Sequence, residues 1–335
     1  MSPFASMVFR AALVALLCVS SSVAGAAERE VILGTAKDTQ TAPGFVIANE
    51  KGFFAKHGIK ASIRFFGNGA ELIQAMAAGS VPVGAPGAVP ATAARAGGVP
   101  IQIVSTLSNL AGAQALLVGP NATITKIEDL QGKSIGLVKS TTTELFYREV
   151  VKQYKLDASK ISVHNLDGTG VVTALGRGDI QAGIIFQPFV SRAQALGAKV
   201  LLTGTRSYLT GKEVLHRTFG DYSLVVVRED FKSANPELVK DILASVIDAY
   251  AYMSENFDDA ATAISKVLGQ PLDDVKVFMK QNEYQLALSE QVVADLRAEG
   301  EFLASVGVVK QSVDPKTWID PAPLKSLRSD LVSYR

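Results

Sequence analysis

The sequence predicts an α/β fold in two lobes, each a mostly parallel sheet flanked by helices, with two crossing segments as a hinge. Three observations carry this. Short β-branched runs alternate with longer helical stretches from residue 31 to 105. The same rhythm restarts at Ser134. Two further strand-like runs, 113–118 and 222–227, break the alternation, each just after a crossing between halves. Such alternation is the signature of a sheet covered on both faces.

In chain order, 31–34 reads as a buried strand. Residues 44–56 read as a helix, opened by Thr41-Ala42-Pro43 and stopped at Gly58. A strand follows at 59–66, then a helix at 69–78 with Leu72, Ile73, Met76 and Ala77 on one face. Residues 81–85, 89–96 and 101–105 continue as strand, helix and strand. The second run gives strands at 134–138, 161–166, 180–186 and 199–202, with helices at 142–154, 171–176 and 189–196 between them. From Asn235 the chain reads as helices at 236–255, 258–268, 272–283 and 290–306. Ser233, Asn256 and Ser289 are the capping candidates and Gly269 a stop. The first lobe is therefore expected to be discontinuous, 27–110 plus 217–335, with 111–216 as the second. Ligands of open α/β sheets bind beyond the carboxyl ends of strands, so facing lobes would line one cleft that closes about the hinge.

Composition narrows the function. The chain has 335 residues, 48% hydrophobic, enough for a sizeable core. Its formal charge of +1 falls to zero without Arg10, the only charged residue before Glu28. With no basic excess and no Lys/Arg cluster, a nucleic-acid partner is not expected. Residues 1–26 read as a secretory signal peptide: a positive charge, an apolar run, and Ala24-Gly25-Ala26 as a cleavage site. Cys18, the single cysteine, follows Leu17 rather than the small residue a lipid anchor needs. It is expected to leave with the leader, removing disulfides and cysteine nucleophiles together. No later segment reaches about 18 apolar residues, so the mature chain is not expected to span a membrane. An exported, unanchored monomer without disulfides fits a Gram-negative periplasm.

Leu130-Gln131-Gly132-Lys133-Ser134-Ile135-Gly136, followed by Lys139-Ser140-Thr141, resembles a signature of type 2 periplasmic solute-binding proteins of ABC transporters. The resemblance is to the nitrate/sulfonate/taurine branch. The stretches from Ala75 to Pro90 and from Leu175 to Phe189 are similar to two more segments of that branch, in the same order. Pro82 stands where the family often has Asp, and Phe186-Gln187 where many members have Trp-Asp. The resemblance therefore carries over no particular ligand. It implies the periplasmic binding protein type 2 fold, a small organic and anionic ligand of the sulfonate or taurine-like class with nitrate ranked lower, a membrane permease and a cytoplasmic ATPase as partners, and no cofactor.

The candidate ligand-binding residues sit at expected strand ends and crossings. Lys139, Ser140, Thr141 and Thr142 join a strand to a helix start, where amide hydrogens and the helix dipole can hold an anion. Thr141 and Glu144 also make a capping box, which accounts for them without a ligand. Asn68 and Gly69, and Pro86 and Gly87, open helices after strands. Asp38, Thr39 and Gln40 follow the first strand. Asn109 and Tyr222 sit at the crossings, Gln187 at a strand end and Asp167 before a helix. Ligand charge stays open: Lys139 and the helix starts favour an anion, while Asp38, Asp167 and Asp221 favour an amine, and taurine satisfies both. A bulky residue at Thr141 is expected to weaken binding more than His164→Ala. His57, His164 and His216 have no metal-ligand spacing. An enzyme of pyrimidine-synthase or desulfinase type is the alternative, disfavoured by the cysteine-free mature chain. A periplasmic sensor subunit would use the same closure.

Overall fold

A computed structural model describes residues 28–334. The expected leader and Cys18 lie outside the described residues. The strands are β1 (Arg29–Ala36), β2 (Ile59–Phe66), β3 (Val83–Ala85), β4 (Ile101–Asn109), β5 (Gln114–Val118), β6 (Ser134–Leu137), β7 (Ser162–Asn165), β8 (Ala182–Phe186), β9 (Lys199–Thr203), β10 (Arg206–Ser207), β11 (Val214–Leu215) and β12 (Tyr222–Arg228). The helices are α1 (Pro43–Glu50), α2 (Phe53–Lys56), α3 (Gly69–Ala77), α4 (Ala88–Ala96), α5 (Thr142–Gln153), α6 (Gly168–Arg177), α7 (Phe189–Ala195), α8 (Glu229–Ala234), α9 (Pro236–Glu255), α10 (Phe257–Leu268), α11 (Leu272–Gln281), α12 (Glu290–Ser305) and α13 (Ala322–Leu327).

The strands form two sheets, ordered β2-β1-β3-β12-β4 and β11-β10-β9-β5-β8-β6-β7. Both are mixed with most strands running one way, as expected: β12 is reversed in the first sheet, and β5 and β10 in the second. In the first, β1 runs parallel to β2 and β3, but β12 is antiparallel to β3 and β4. In the second, β6 is parallel to β7 and β8, whereas β5 is antiparallel to β8 and β9. The reason lies in the crossings. A parallel neighbour needs a long crossover connection. Strand β4 leaves the first sheet at one end, and β12 re-enters beside it at that same end, with Tyr222 opposite Asn109. Likewise β5 enters the second sheet where β8 finishes, with Gln114 opposite Phe186. These strand ends therefore gather at the junction between the sheets.

Side-chain alternation builds the cores. Along β5, Leu116 and Val118 join a cluster with Ile135, Leu137 and Phe146. Ala115 and Leu117 join another with Val171, Leu175 and Ile185 on the opposite face. The first sheet and the C-terminal helices share a larger core that includes Leu33, Phe45, Val225 and Trp318. Helix α12 belongs to both halves. Its Val292, Val293 and Leu296 lie in the first core, while Phe302 and Leu303 lie in the second-sheet cluster. Arg148 of α5 sits over the Phe302 ring at 5.0 Å and donates to Ser305 Oγ at 3.2 Å.

Some boundaries differ from expectation. The helix expected over 44–56 is two, because Gly52 at φ +75° stops α1 and restarts the chain as α2. Ser289 caps α12 by accepting from Val292 N at 3.2 Å. Asn256 holds the N-cap position of α10 without a side-chain bond. Ser233 lies inside α8 and donates to the Glu229 carbonyl, so α9 instead starts at Asn235-Pro236. In the first crossing, a Cβ on Gly112 would lie 2.0 Å from the Gln281 carbonyl oxygen. Gly112→Ala is therefore expected to cost about 1–3 kcal/mol, seen as a lowered Tm. An unchanged Tm would show that the crossing can relax away from α11. No described helix is long and apolar enough to cross a membrane.

Candidate ligand-binding site

A cavity of about 300 Å³ opens where strand ends of the two sheets meet. It is lined by the loop after β1 (Asp38, Gln40, Thr41), the turn into α3 (Gly67, Asn68, Gly69) and the turn into α4 (Ala85 to Pro90). Leu110 and Asp221 of the two crossings and Thr142 of α5 complete it. A second cavity of about 190 Å³ is lined by Gln40, Leu110, Ala113, Gln114, Thr142, Phe186 and Asp221. The two share Gln40, Leu110, Thr142 and Asp221. Seven of the candidate residues therefore meet here: Asp38, Gln40, Asn68, Gly69, Pro86, Gly87 and Thr142.

Local chemistry explains how each is held. Asp38 Oδ1 accepts from Gln40 N at 3.0 Å, Thr41 N at 2.7 Å and Thr41 Oγ1 at 2.9 Å, folding the loop into α1. Asn68 caps α3 by accepting from Glu71 N, and Glu71 in return accepts from Gly67 N and Asn68 Nδ2. A Cβ on Gly69 would meet Pro90 Cγ at 2.7 Å, so α3 can start hard against α4 only with glycine there. The first turns of α3, α4 and α5 thus reach the cavity wall. A helix leaves its first N–H groups without internal acceptors, and its dipole makes them electropositive.

The other candidates have structural partners and do not line these cavities. Thr39 is buried, its hydroxyl bonded to Gln270 and its carbonyl accepting from Tyr284 at 2.7 Å. Asn109 braces the first crossing, donating to Glu283 at 3.1 Å and accepting from Ala111 N at 3.1 Å. The expected anion loop is largely committed to itself. Lys139 N donates to Asn165 and Ser140 N to Glu144, while the Thr141 hydroxyl donates to the Val138 carbonyl and caps α5. Asp167 caps α6, and Gln187 is buried with its carbonyl oxygen accepting from Ser191. Tyr222 is buried and donates to Asp295, which also binds Arg217. Thr142, next to the capping Thr141, is the α5 residue in both cavities. The histidines stay apart: His57 pairs with Asp248, His216 meets Tyr154, and His164 is exposed on β7. No cluster of metal-ligating side chains occurs among the described residues.

Gln114 is a cavity residue that sequence alone did not place, Phe186 lies at the cleft-facing strand end where the sequence put it, and Asp221 appeared only among carboxylates able to receive an amine. Asp221 is 8% exposed. Burial pushes its carboxyl up to about 7, against hydrogen bonds from Gln114, its neighbouring backbone and Thr142. Gln114 Nε2 donates to Asp221 Oδ2 at 2.5 Å and to Thr142 Oγ1 at 2.9 Å. The Gln114 Oε1 atom is buried without a partner among the described residues. An unfilled acceptor beside a buried carboxyl is a place for a donor.

Residues 39–260 match the family model described as NMT1/THI5 like. The chain belongs to the NMT1/THI5 like family. This NMT1/THI5 like chain is 29% identical over 255 residues to the taurine-binding periplasmic protein of Escherichia coli (strain K12), covering 74% of this chain and 77% of that one. It superposes on the periplasmic aliphatic sulphonate binding protein SsuA from Escherichia coli with a TM-score of 0.72 at 20% identity, over 87% of this chain and 92% of that one. It also shares the fold of the desulfurization enzyme DSZB, solved as a variant in complex with biphenyl-2-sulfinic acid. There the TM-score is 0.63 at 16% identity, over 90% of this chain and 99% of that one. The NMT1/THI5 like fold thus appears both in binding proteins and in an enzyme.

Proposed function

We propose that this chain is the periplasmic substrate-binding component of an ABC importer for a small sulfonate that also carries an amine, of the taurine type. One observation carries the reading: the cavity at the sheet junction presents two opposite chemistries. Helix first turns offer amide hydrogens to a sulfonate. The buried Asp221 carboxyl with the orphaned Gln114 oxygen offers acceptors to an ammonium. The taurine-binding relative supports the ligand class. Closure of the two halves about the crossings would sequester the ligand for a permease driven by a cytoplasmic ATPase.

Among the described residues, no cysteine, histidine or lysine lines the two cavities, whose titratable side chains are the carboxyls of Asp38 and Asp221. Titration calorimetry with taurine, ethanesulfonate and nitrate tests the reading. Taurine is expected to bind tightest and nitrate weakest. Tighter binding of nitrate than of either sulfonate, or breakdown of taurine by the protein, would overturn it. Trp318, the single tryptophan, is buried in the first core away from the cavities. Taurine is therefore expected to leave tryptophan emission nearly unmoved, and a large shift would place the ligand elsewhere.

A further inference from the structure

Behind Asp221 lies a second buried acid that ligand contact does not explain. Glu299 of α12 is 3% exposed, and its Oε1 accepts from the Thr92 hydroxyl of α4 at 3.1 Å. Helix α12 also contributes Asp295, the second crossing contributes Arg217, and Tyr222 at the start of β12 is bonded to Asp295. Strand β5 contributes the neutral Gln114, and helix α5 contributes Thr142 beside Asp221 and, further along, Glu149 and Lys152, which line a cavity with Arg217 and Asp295. Asp38 lines the larger cavity together with Asp221. Arg217 is engaged by Asp295. Neither Asp221 nor Glu299 has a Lys, Arg or His ion-pair partner among the described residues. Full ionisation would leave two buried, uncompensated negative charges, which costs several kcal/mol.

We propose that Asp221 and Glu299 form a proton store at the sheet junction, and that a ligand ammonium arriving at Asp221 displaces a proton from it into solvent. Capture of an amine-bearing sulfonate is then proton-linked, and capture of a sulfonate without an amine is not. The inference rests on the reading of the site given above and deepens it. Burial supports it by raising Glu299 to about 8, with the Asp221 charge as the next cause. The proton balance is simple. The O–H bond of the carboxylic acid breaks, the proton goes to buffer, and the ammonium keeps its own three hydrogens while pairing with the carboxylate.

The test is calorimetry at pH 7 in phosphate and in Tris, which contain no sulfonate and differ in ionisation enthalpy. Taurine is expected to release about half a proton on binding, since a group titrating near 7 is half protonated there. Ethanesulfonate is expected to release none. Below pH 6, taurine affinity should fall about tenfold per unit while that of ethanesulfonate stays level. Asp221→Asn, whose cooperative thermal unfolding would certify the fold, should lose both the taurine preference and the proton release. Glu299→Gln should retain the release at pH 7 and show less of it at pH 8. Equal taurine enthalpies in the two buffers, or unchanged release in Asp221→Asn, would overturn the store and leave the binding function standing. Failure of both sulfonates to bind the unaltered protein would overturn both.

Discussion

Thr142→Trp is expected to weaken taurine binding at least about 100-fold, or roughly 2.7 kcal/mol, with little change in melting temperature. Thr142 lines both cavities. It occupies the first position of α5, after the capping Thr141, so the cap itself survives the change. The indole would fill much of the 190 Å³ cavity and remove the hydroxyl that accepts from Gln114. His164→Ala, on the exposed face of β7, is the control and should bind as the unaltered chain does. Calorimetry decides. Taurine affinity within threefold of the unaltered protein in Thr142→Trp would remove this cavity from consideration.

Glu299→Gln should make the protein more stable at pH 8 by about 4 kcal/mol, with the difference vanishing near pH 4. The sign follows from proton counting. Burial raises the folded carboxyl to about 8, well above its unfolded value of 4.5. Between those values the folded chain binds the extra proton, so stability is present below about 4.5 and is lost as pH rises toward 8. Glutamine keeps the oxygen that accepts from Thr92 and has no proton to lose. Urea unfolding of both proteins at pH 5 and pH 8 measures the gap. A constant difference between them across that range would mean that Glu299 titrates normally in the folded chain.

Much of the scaffold could be read from letters alone, for identifiable reasons. Strand β2 and helix α9 fall on their expected residues, because Gly58 and Gly67 bound one and Asn235-Pro236 opens the other. The two runs that broke the alternation are β5 and β12, the strands that join the sheets. The turns into α3 and α4 were legible because a strand, small residues and a helix follow one another there. In the loop at Lys139 the amides are taken by Asn165 on another strand and by Glu144 one turn on, acceptors that the local sequence does not reveal. Gln114 escaped because it is one polar letter within an apolar stretch, and Glu299 because it is one of several charged letters on its helix. Their meaning comes from partners 107 and 207 positions away in sequence. The hairpin of β10 and β11 has two residues in each strand, too few to show a period.

Helix α12 also bears on attempts to engineer this protein. Because Phe302 and Leu303 complete the interior of the half built from β5 to β11, excising that half as an independent fragment would uncover its own centre. A chimaera that exchanges only that stretch with a relative would inherit a mismatched plug. Transplanting specificity therefore requires moving the far end of a helix more than eighty residues downstream as well.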